Sequence, residues 1–318
     1  MSSPIGRIIP LEDYNDSQPS AVALGFFDGI HRGHQRLLEE TKSLAQSLGL
    51  RPLVFTFREH PSWLLRPSNP VSLLMSTEER LRLLSQAGFT CVVASFNRFL
   101  AQMRPEEFAS AILAHRLQAR WLVVGDNFHF GAGAQGGAQS LEEMGEYLNF
   151  QVRVLARLAL KNRVVSSTWL RKLVREGRLQ EAFPFWGRRF QVAGRIERGQ
   201  QLGRQLGIPT ANISPWPQLI APKRGVYAAR ASLAEYPGVF PALAYWGNRP
   251  TFCGEGDILE VSILTPEPLW GPDELYGCQL TTDLYAYLRP QIKFPNTQGF
   301  IEQVAHDRQR VGKILAKC

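Results

Sequence analysis

Residues 21–35 read AVALGFFDGIHRGHQ, and this stretch decides the fold of the first half of the chain. An apolar run as long as a buried strand is followed by a glycine-rich turn and then by an amphipathic helix. Glycines let the backbone approach a ligand, and the amides and dipole of a helix N-terminus attract phosphate. His31 and His34 stand beside those amides and would stabilise charge that develops on phosphate oxygens. The sequence therefore predicts a phosphate-binding turn. Its other expected contacts are Gly25, Phe27, Asp28 and Gly29.

Two other interpretations of this turn remain open. Paired histidines can bind zinc, but a zinc site needs three or four ligands, and no cluster of Cys or carboxylate residues supplies the rest. The turn could also be an ordinary strand-to-helix connection with two surface histidines, which a lone Gly-x-x-Gly would favour. Strand, glycines, histidine pair and helix occur together here. That combination favours phosphate binding.

The alternation of apolar runs with amphipathic stretches continues to about residue 185. One amphipathic stretch begins with the Ser-x-x-Glu spacing of a capping box at Ser76 and has Gly88 where a C-terminal cap belongs. Strands that alternate with helices form parallel sheets through crossover connections. We therefore predict an α/β domain with a parallel sheet. Its further strands are expected at residues 52–57, 90–95, 121–125 and 151–155.

Polar motifs follow several of these predicted strands. Asn127 comes after the fourth strand, and the sequence Ser-Ser-Thr-Trp-Leu-Arg at residues 166–171 opens a helix after the fifth. Open α/β sheets bind ligands at the carboxyl ends of their strands. Ser167 and Thr168 would offer hydroxyls and helix-start amides, and Arg171 a fork of donors suited to polyphosphate. Ordinary helix capping explains the serines equally well.

The pattern changes near residue 186. Beyond it, short apolar segments are separated by Gly, Pro and Asn turns, and the chain closes with a helical apolar spacing over residues 297–316. Such segments are typical of an antiparallel barrel or sandwich. We therefore predict a first domain over residues 1–186 and a second over residues 187–318. The second domain's strands are expected at residues 190–196, 225–231, 242–245, 259–264 and 279–287.

A glycine-dense stretch at residues 194–212 carries possible metal ligands in the second half. Glycine amides can wrap around a phosphate. Thr210 and Asn212 alternate along an extended segment, so their side chains would point the same way. Neutral oxygens at that spacing suit a magnesium ion that keeps some waters and binds nucleotide phosphates. A glycine-rich hairpin with a Pro-Thr turn would explain the same composition.

Composition bounds the class of partner and the compartment. The chain has 318 residues, with 36 Lys and Arg against 28 Asp and Glu and a formal net charge of +8. This charge suits an anionic partner, and because basic residues occur singly or in pairs, small phosphorylated ligands are favoured over nucleic acid. The four cysteines lie far apart, which fits a reducing cytoplasm. No apolar run is long enough to span a bilayer, so we expect no membrane partner. The scattered basic residues lead us to expect no nucleic-acid partner.

The chain resembles the bacterial bifunctional riboflavin kinase/FMN adenylyltransferase family, also called FAD synthetases. In the first half the resemblance rests on His-x-Gly-His at residues 31–34 and Ser-Ser-Thr-x-x-Arg at residues 166–171. It implies a Rossmann-like nucleotidyltransferase domain in which Asn127 lies at the flavin and adenine site. The residues that the resemblance assigns to the ATP phosphates are His31, His34, Ser167, Thr168 and Arg171.

In the second half, the sequence Gly-Arg-x-Leu-Gly-x-Pro-Thr-Ala-Asn at residues 203–212 is a hallmark of riboflavin kinases. The resemblance implies an antiparallel β-barrel kinase domain with a terminal helix. It also implies that Glu260 is the general base beside the riboflavin 5′-hydroxyl. Without the resemblance, Glu260 could be an ordinary surface residue. Further expected nucleotide or substrate contacts are Gly199, Gly203, Arg204, Gly207, Pro209 and Arg249.

The function implied by the resemblance is two sequential transfers. ATP phosphorylates riboflavin to FMN, and a second ATP adenylylates FMN to FAD with release of pyrophosphate; Mg²⁺ is the implied cofactor. Residues 129–136, residues 245–246 and Gln291 depart from the family pattern. The alternative is a family member that keeps only one activity or acts as a flavin-binding regulatory protein.

Overall fold

The computed structural model describes residues 5–198, 209–248, 257–265, 271 and 273–317. The chain divides into two compact units, Met1–Ser167 and Thr168–Cys318. Within the described residues, no helix is long and apolar enough to cross a membrane.

A parallel sheet forms the centre of the first unit. Its six strands have the order β1-β4-β3-β2-β5-β8, and all neighbours are parallel. This confirms the predicted α/β sheet, to which the structure adds the short edge strand β1. The strands of this unit are β1 (Ile8–Pro10), β2 (Ser20–Leu24), β3 (Arg51–Phe57), β4 (Thr90–Ala94), β5 (Ala119–Gly125), β6 (His129–Phe130), β7 (Gly136–Gly137), β8 (Gln151–Leu155), β9 (Ala159–Leu160) and β10 (Arg163–Val164).

Helices cover both faces of this sheet. Every residue of β2 is buried; Val22 and Leu24 join the apolar cluster on one face, and Ala23 joins the cluster on the other. Burial on both faces explains why the parallel strands are apolar runs and do not alternate. The helices of this unit are α1 (Arg32–Leu48), α2 (Pro61–Leu65), α3 (Thr77–Gln86), α4 (Arg98–Gln102), α5 (Pro105–Glu107), which continues as a π-helix (Phe108–Arg116), and α6 (Ala138–Leu148).

The ends of α3 follow from its sequence signals. Ser76 is the N-cap, and its side chain accepts a hydrogen bond from the Glu79 amide at 3.1 Å. Gly88 has a φ of 85° and donates to the Ser85 carbonyl, while the Phe89 amide donates to the Leu84 carbonyl. These two bonds form a Schellman motif. Both predicted caps are confirmed.

The second unit is a closed antiparallel barrel with the strand order β11-β12-β15-β14-β13-β16. The structure therefore selects a barrel over the sandwich that the sequence left open. Strand β12, with only three residues, was not among the predicted strands, although the segment of Thr210 and Asn212 was expected to be extended. The elements of this unit are α7 (Ser167–Arg175), α8 (Leu179–Trp186), β11 (Phe190–Glu197), β12 (Ala211–Ile213), β13 (Gly225–Leu233), β14 (Phe240–Asn248), β15 (Asp257–Ile263), β16 (Gln279–Arg289) and α9 (Thr297–Leu315).

Helix α9 is the predicted terminal helix, and it packs on the outside of the barrel. Its buried residues Val304 and Val311 join an apolar cluster with residues of β13, β14 and β16. A buried ion pair adds to this contact: Arg289 Nε donates to Asp307 Oδ2 at 2.8 Å, and Asp307 is 0% exposed. The helix is thus joined to the barrel by both apolar packing and charge.

Helices α7 and α8 belong to the compact unit that contains the barrel. The Lys223 amide, in the segment before β13, donates to the Val174 carbonyl of α7 at 3.3 Å. The compact units therefore divide at the start of α7, between Ser167 and Thr168, whereas the change in sequence pattern comes after α8. The predicted domain boundary near residue 186 stays a prediction.

Candidate functional site

The turn after β2 has unusual backbone geometry. Phe27 and Ile30 adopt left-handed conformations with φ of 60° and 43°. A β-branched residue rarely has a positive φ, so the surrounding contacts must hold this turn in place. Asp28–Ile30 form one 3₁₀ turn, and α1 begins almost directly after it at Arg32. The turn thus brings the N-terminus of a 17-residue helix to the carboxyl end of β2.

His31 and His34 lie together at the start of α1. Their rings are stacked, with centroids 3.6 Å apart and an interplanar angle of 14°. His31 is the N-cap, and its Nδ1 accepts a hydrogen bond from the His34 amide at 3.3 Å. An accepting Nδ1 places the proton of a neutral imidazole on Nε2, which makes Nε2 a donor. The structure therefore brings the two predicted histidines together as a pair at a helix N-terminus.

Asp28 and Ser167 hold this turn through hydrogen bonds. Both carboxylate oxygens of Asp28 accept from the Leu74 amide, at 2.9 and 3.2 Å, and Asp28 is almost fully buried. Ser167 Oγ donates to the Asp28 carbonyl at 2.9 Å. These bonds fasten the turn to the segment before α3 and to Ser167, the last residue of the first unit. A direct role of either residue in nucleotide binding stays a prediction.

Two further predicted residues lie at the same edge of the sheet. Gly25 follows β2, and a Cβ at this position would lie 3.2 Å from the Phe27 ring. Asn127 follows β5 and is exposed, with Oδ1 folded back toward Gly125. Because β2 and β5 are parallel neighbours, Gly25 and Asn127 are at the carboxyl edge where open α/β sheets bind ligands.

The predicted Ser/Thr/Arg motif forms the beginning of a helix. Ser167 is the first residue of α7, and Thr168 is the second. Arg171 comes four residues after Ser167, which places both residues on one face of the helix. The predicted helix start is confirmed.

Three side chains from neighbouring strands form a row on the barrel, which we call the barrel row. Glu260 of β15 lies opposite Asn212 of β12 on one side and opposite Tyr245 of β14 on the other. Directly opposed residues share one face of a sheet, with Cβ atoms about 5 Å apart. The structure therefore brings Asn212 and Glu260 together, although 47 residues lie between them in the sequence.

The barrel row lies on the outer face of the barrel. Tyr245 packs against the apolar cluster beneath α9, and a helix can reach only the outside of a closed barrel. The neighbours of Glu260 along β15, Leu259 and Val261, are fully buried and point to the opposite face. Glu260 is therefore placed on the outer face of the barrel and outside its apolar interior.

Burial changes the acidity of the groups in this row. The pKa of Glu260 is raised above its ordinary value because the carboxyl group is largely removed from water. The pKa of Tyr245 is raised by burial and by the negative charge of Glu260. A carboxylate with a raised pKa is a stronger base than one in free solution, which suits proton abstraction from an alcohol.

The donor set near Glu260 fits magnesium. Thr210 directly precedes β12 and Asn212 lies within it, so two uncharged oxygen donors stand close to a carboxylate. Mg²⁺ prefers oxygen ligands and usually keeps several waters, so it does not need a complete protein cage. Among the described residues, no group of three or more His, Cys, Asp or Glu residues could hold a metal ion. The zinc interpretation of the histidine turn gains no support.

Part of the predicted kinase motif cannot be placed. Pro209 is described and lies just before β12. The predicted contacts that lie outside the described residues are Gly199, Gly203, Arg204, Gly207 and Arg249.

The sequence interpretation missed a buried arginine at the edge of the first unit's sheet. Arg80 of α3 is 0% exposed and donates hydrogen bonds to the ends of β2 and β3. The helical period places Arg80 on the same face as Leu81 and Leu84, which is the buried face. A charged residue on the apolar face of a predicted helix was therefore the sequence signal that could have identified Arg80.

Two family models match separate parts of the chain. The FAD synthetase family model matches residues 13–169, and the riboflavin kinase family model matches residues 186–315. The bifunctional riboflavin kinase/FMN adenylyltransferase of Escherichia coli (strain K12) is 31% identical over 288 residues, which cover 90% of each chain. The protein of that name from Haemophilus influenzae is 31% identical over 91% of this chain and 92% of its own length.

A solved structure shares the fold. A protein from Streptococcus pneumoniae, whose title calls it a macrolide-efflux protein, has a TM-score of 0.84 and 27% identity, and the match covers 95% of this chain and 97% of that chain. The efflux role belongs to that title alone, whereas the sequence relatives and both family models agree with each other. The chain therefore belongs to the family of bifunctional FAD synthetases, which combine riboflavin kinase and FMN adenylyltransferase activities.

Proposed function

We propose that each half of the chain carries one of the two reactions and that they act in sequence. In the barrel, riboflavin and ATP give FMN and ADP. At the edge of the parallel sheet, FMN and a second ATP give FAD and pyrophosphate. The matches of the riboflavin kinase model to residues 186–315 and of the FAD synthetase model to residues 13–169 support this division. They also support a domain boundary near residue 186.

The kinase step uses Glu260 as a general base. The riboflavin 5′-hydroxyl attacks the γ-phosphorus of ATP, Glu260 accepts the hydroxyl proton, and ADP leaves. An alcohol is a poor nucleophile at neutral pH, so a base accelerates its attack. The observation that carries this assignment is the half-buried carboxylate opposite Asn212. Thr210 and Asn212 would hold magnesium, which neutralises phosphate charge when bound.

The adenylyl transfer needs no base. An oxygen of the FMN phosphate attacks the α-phosphorus of ATP, and pyrophosphate leaves. Because this nucleophile is already an anion, the protein has to align it and to stabilise charge on the triphosphate. The stacked pair of His31 and His34 at the start of α1 supplies donors for that purpose. Thr168 and Arg171 are assigned to the same phosphates by the family motif.

Product analysis tests the proposal. The purified chain is incubated with ATP and magnesium and with either riboflavin or FMN, and flavins are separated by chromatography. We expect FMN and then FAD from riboflavin, and FAD directly from FMN. His31→Ala and Arg171→Ala should abolish FAD formation from FMN and spare FMN formation from riboflavin. Glu260→Gln should do the reverse.

The same assay distinguishes the alternative functions. FMN without FAD would leave a riboflavin kinase alone, and binding of flavin without either product would indicate a regulatory protein. The departures from the family pattern at residues 129–136, residues 245–246 and Gln291 make this comparison informative. A cytoplasmic location and small-molecule partners only, without nucleic acid or membrane, stay predictions.

A further inference from the structure

A buried arginine of the first unit has no part in the reactions described so far. Arg80 of α3 is 0% exposed, and burial lowers the pKa of its guanidinium to about 10. Burying a charge is costly unless it is paired and hydrogen-bonded. All the hydrogen-bond partners of Arg80 among the described residues are backbone carbonyls and one threonine hydroxyl. The charge is therefore hydrogen-bonded by dipoles of the chain, and the negative charge of Asp28, in the turn after β2, stabilises it from a distance.

These partners lie at the carboxyl ends of two neighbouring strands. One terminal nitrogen of Arg80 donates to the Phe26 carbonyl at 2.8 Å and to Thr56 Oγ1 at 2.7 Å. The other donates to the carbonyls of Phe57 and Arg58, at 2.7 and 3.4 Å. Phe26 follows β2, and the other three residues end or follow β3. The planar fork of one side chain thus joins the two strand ends.

The same contacts reach the loops that carry the site. The Arg80 guanidinium lies over the Phe26 ring, 4.1 Å from its centroid, and the His60 ring packs edge-on against the same ring with centroids 4.7 Å apart. Phe26 directly precedes Phe27, where the left-handed turn to His31 begins. A turn with positive φ at non-glycine residues persists only where its surroundings over-determine it. Arg80 fixes the point from which this turn departs.

The bonds of Arg80 do more than offset its own burial, because they join two strand ends. A methionine has a similar volume and could fill the same space, but Arg80→Met also leaves buried acceptors and the nearby Asp28 carboxylate without the guanidinium, so a loss of stability accompanies it. What a methionine cannot do is hold two strand ends at a fixed separation. We propose that Arg80 is a positioning residue for adenylyl transfer, which sets the geometry of the turn that carries His31 and His34. This inference rests on the proposed role of that turn.

The test compares Arg80→Met with a matched control on the same helix. Arg82 is exposed, and its bonds to Glu79 and Gln86 are local to α3, so Arg82→Met removes a guanidinium without touching the strand ends. FAD formation from FMN and FMN formation from riboflavin are both measured. A displacement of about 1 Å can cost about 10²-fold in rate, so we expect Arg80→Met to lower kcat for FAD formation about 30- to 100-fold. Riboflavin phosphorylation should stay within about twofold, and Arg82→Met should leave both rates within about twofold.

Two milder variants keep the test valid if Arg80→Met does not fold. Arg80→Lys keeps the charge but loses the fork, and Thr56→Val removes the hydroxyl that joins Arg80 to the Phe26 carbonyl. Both should lower kcat for FAD formation more than they raise KM, with thermal unfolding close to that of the parent. If Arg80→Lys or Thr56→Val folds and keeps the parent's kcat for FAD formation, the inference is overturned. If the parent itself makes no FAD, the proposed function fails instead, which is a different result.

Discussion

In the proposed mechanism the turn after β2 and the barrel row both serve attack on a phosphorus atom of ATP, but they are built from different groups. The turn uses backbone amides, two stacked imidazoles and a strained conformation, and its one carboxylate, Asp28, is bonded to the Leu74 amide. The barrel row uses side chains of regular strands and includes the half-buried carboxylate of Glu260. The difference between the two sites matches the difference between the nucleophiles of the two proposed reactions. A phosphate anion needs alignment, whereas a hydroxyl also needs a base.

Replacement of the carboxylate gives the largest expected effect. Glu260→Gln keeps the shape of the side chain and removes the base, so kcat for riboflavin phosphorylation should fall about 10²- to 10⁴-fold. FAD formation from supplied FMN should not change, because that reaction uses an anionic nucleophile. Initial rates with each substrate measure the two effects in one preparation.

The control for this variant is Glu302→Gln, an exposed carboxylate on α9 whose bond to Gln298 is within that helix. Both rates should be unaffected. If Glu260→Gln phosphorylates riboflavin at the parent's rate, Glu260 is not the general base, and the proposed contrast between the two sites fails.

Different contacts hold the two sites in place. The turn is fixed by hydrogen bonds that involve the backbone, whereas Tyr245 of the barrel row packs against the apolar cluster under α9. The buried pair of Arg289 and Asp307 joins α9 to β16. Removing one partner of such a pair leaves an unpaired buried charge, so Asp307→Ala should destabilise the barrel unit by about 3 to 5 kcal/mol. Denaturant unfolding monitored in both units by hydrogen exchange measures this.

When the Asp307→Ala variant is heated, its riboflavin kinase activity should be lost at a lower temperature than its FAD-forming activity. The double variant Arg289→Met with Asp307→Leu provides the control, since it removes both charges and should recover much of the stability. Equal loss in the single and double variants would show that packing, and not the unpaired charge, is responsible.

How far the sequence predicts each site follows from the same comparison. The turn is contiguous, so its strand, glycines, histidines and helix start can be recognised within 15 residues (21 through 35). The barrel row combines three strands, and the register that places Glu260 opposite Asn212 and Tyr245 is a property of the closed barrel. Only the family resemblance pointed to Glu260 beforehand. Strand β12 was expected only as an extended segment, because three residues are too few for a periodic pattern.

Other features lay outside sequence reasoning for physical reasons. The left-handed conformation of Ile30 contradicts the local preference of a β-branched residue, because tertiary contacts override it. The hydrogen bonds of Arg80 to β2 and β3 join residues up to 54 positions apart. Regular elements were predicted well because their signals are local, whereas the contacts that fix the site are long-range.

A smaller effect is expected from filling space beside the barrel row. A Cβ on Gly247 would lie 2.7 Å from Tyr245 Cε1 and would overlap the hydroxyl end of that ring. Gly247→Ala must therefore displace Tyr245, the neighbour of Glu260, and we expect riboflavin phosphorylation to fall about 10- to 50-fold. The double variant Gly247→Ala with Tyr245→Ala removes the overlap and should recover part of the rate. If the double variant is as slow as the single one, displacement of Tyr245 is not the cause.

The smallest expected effect is the corresponding change in the turn. A Cβ on Gly33 would lie 3.2 Å from His31 Cε1, so the imidazole has to move by only a few tenths of an ångström. At the same time alanine is favoured over glycine within a helix by about 0.5 to 1 kcal/mol, and Gly33 is the second residue of α1. Gly33→Ala should therefore raise the thermal stability of the first unit slightly while it lowers FAD formation about three- to tenfold. Opposite signs in the two measurements separate positioning of His31 from folding, and a fall in both would mean that the glycine serves the fold alone.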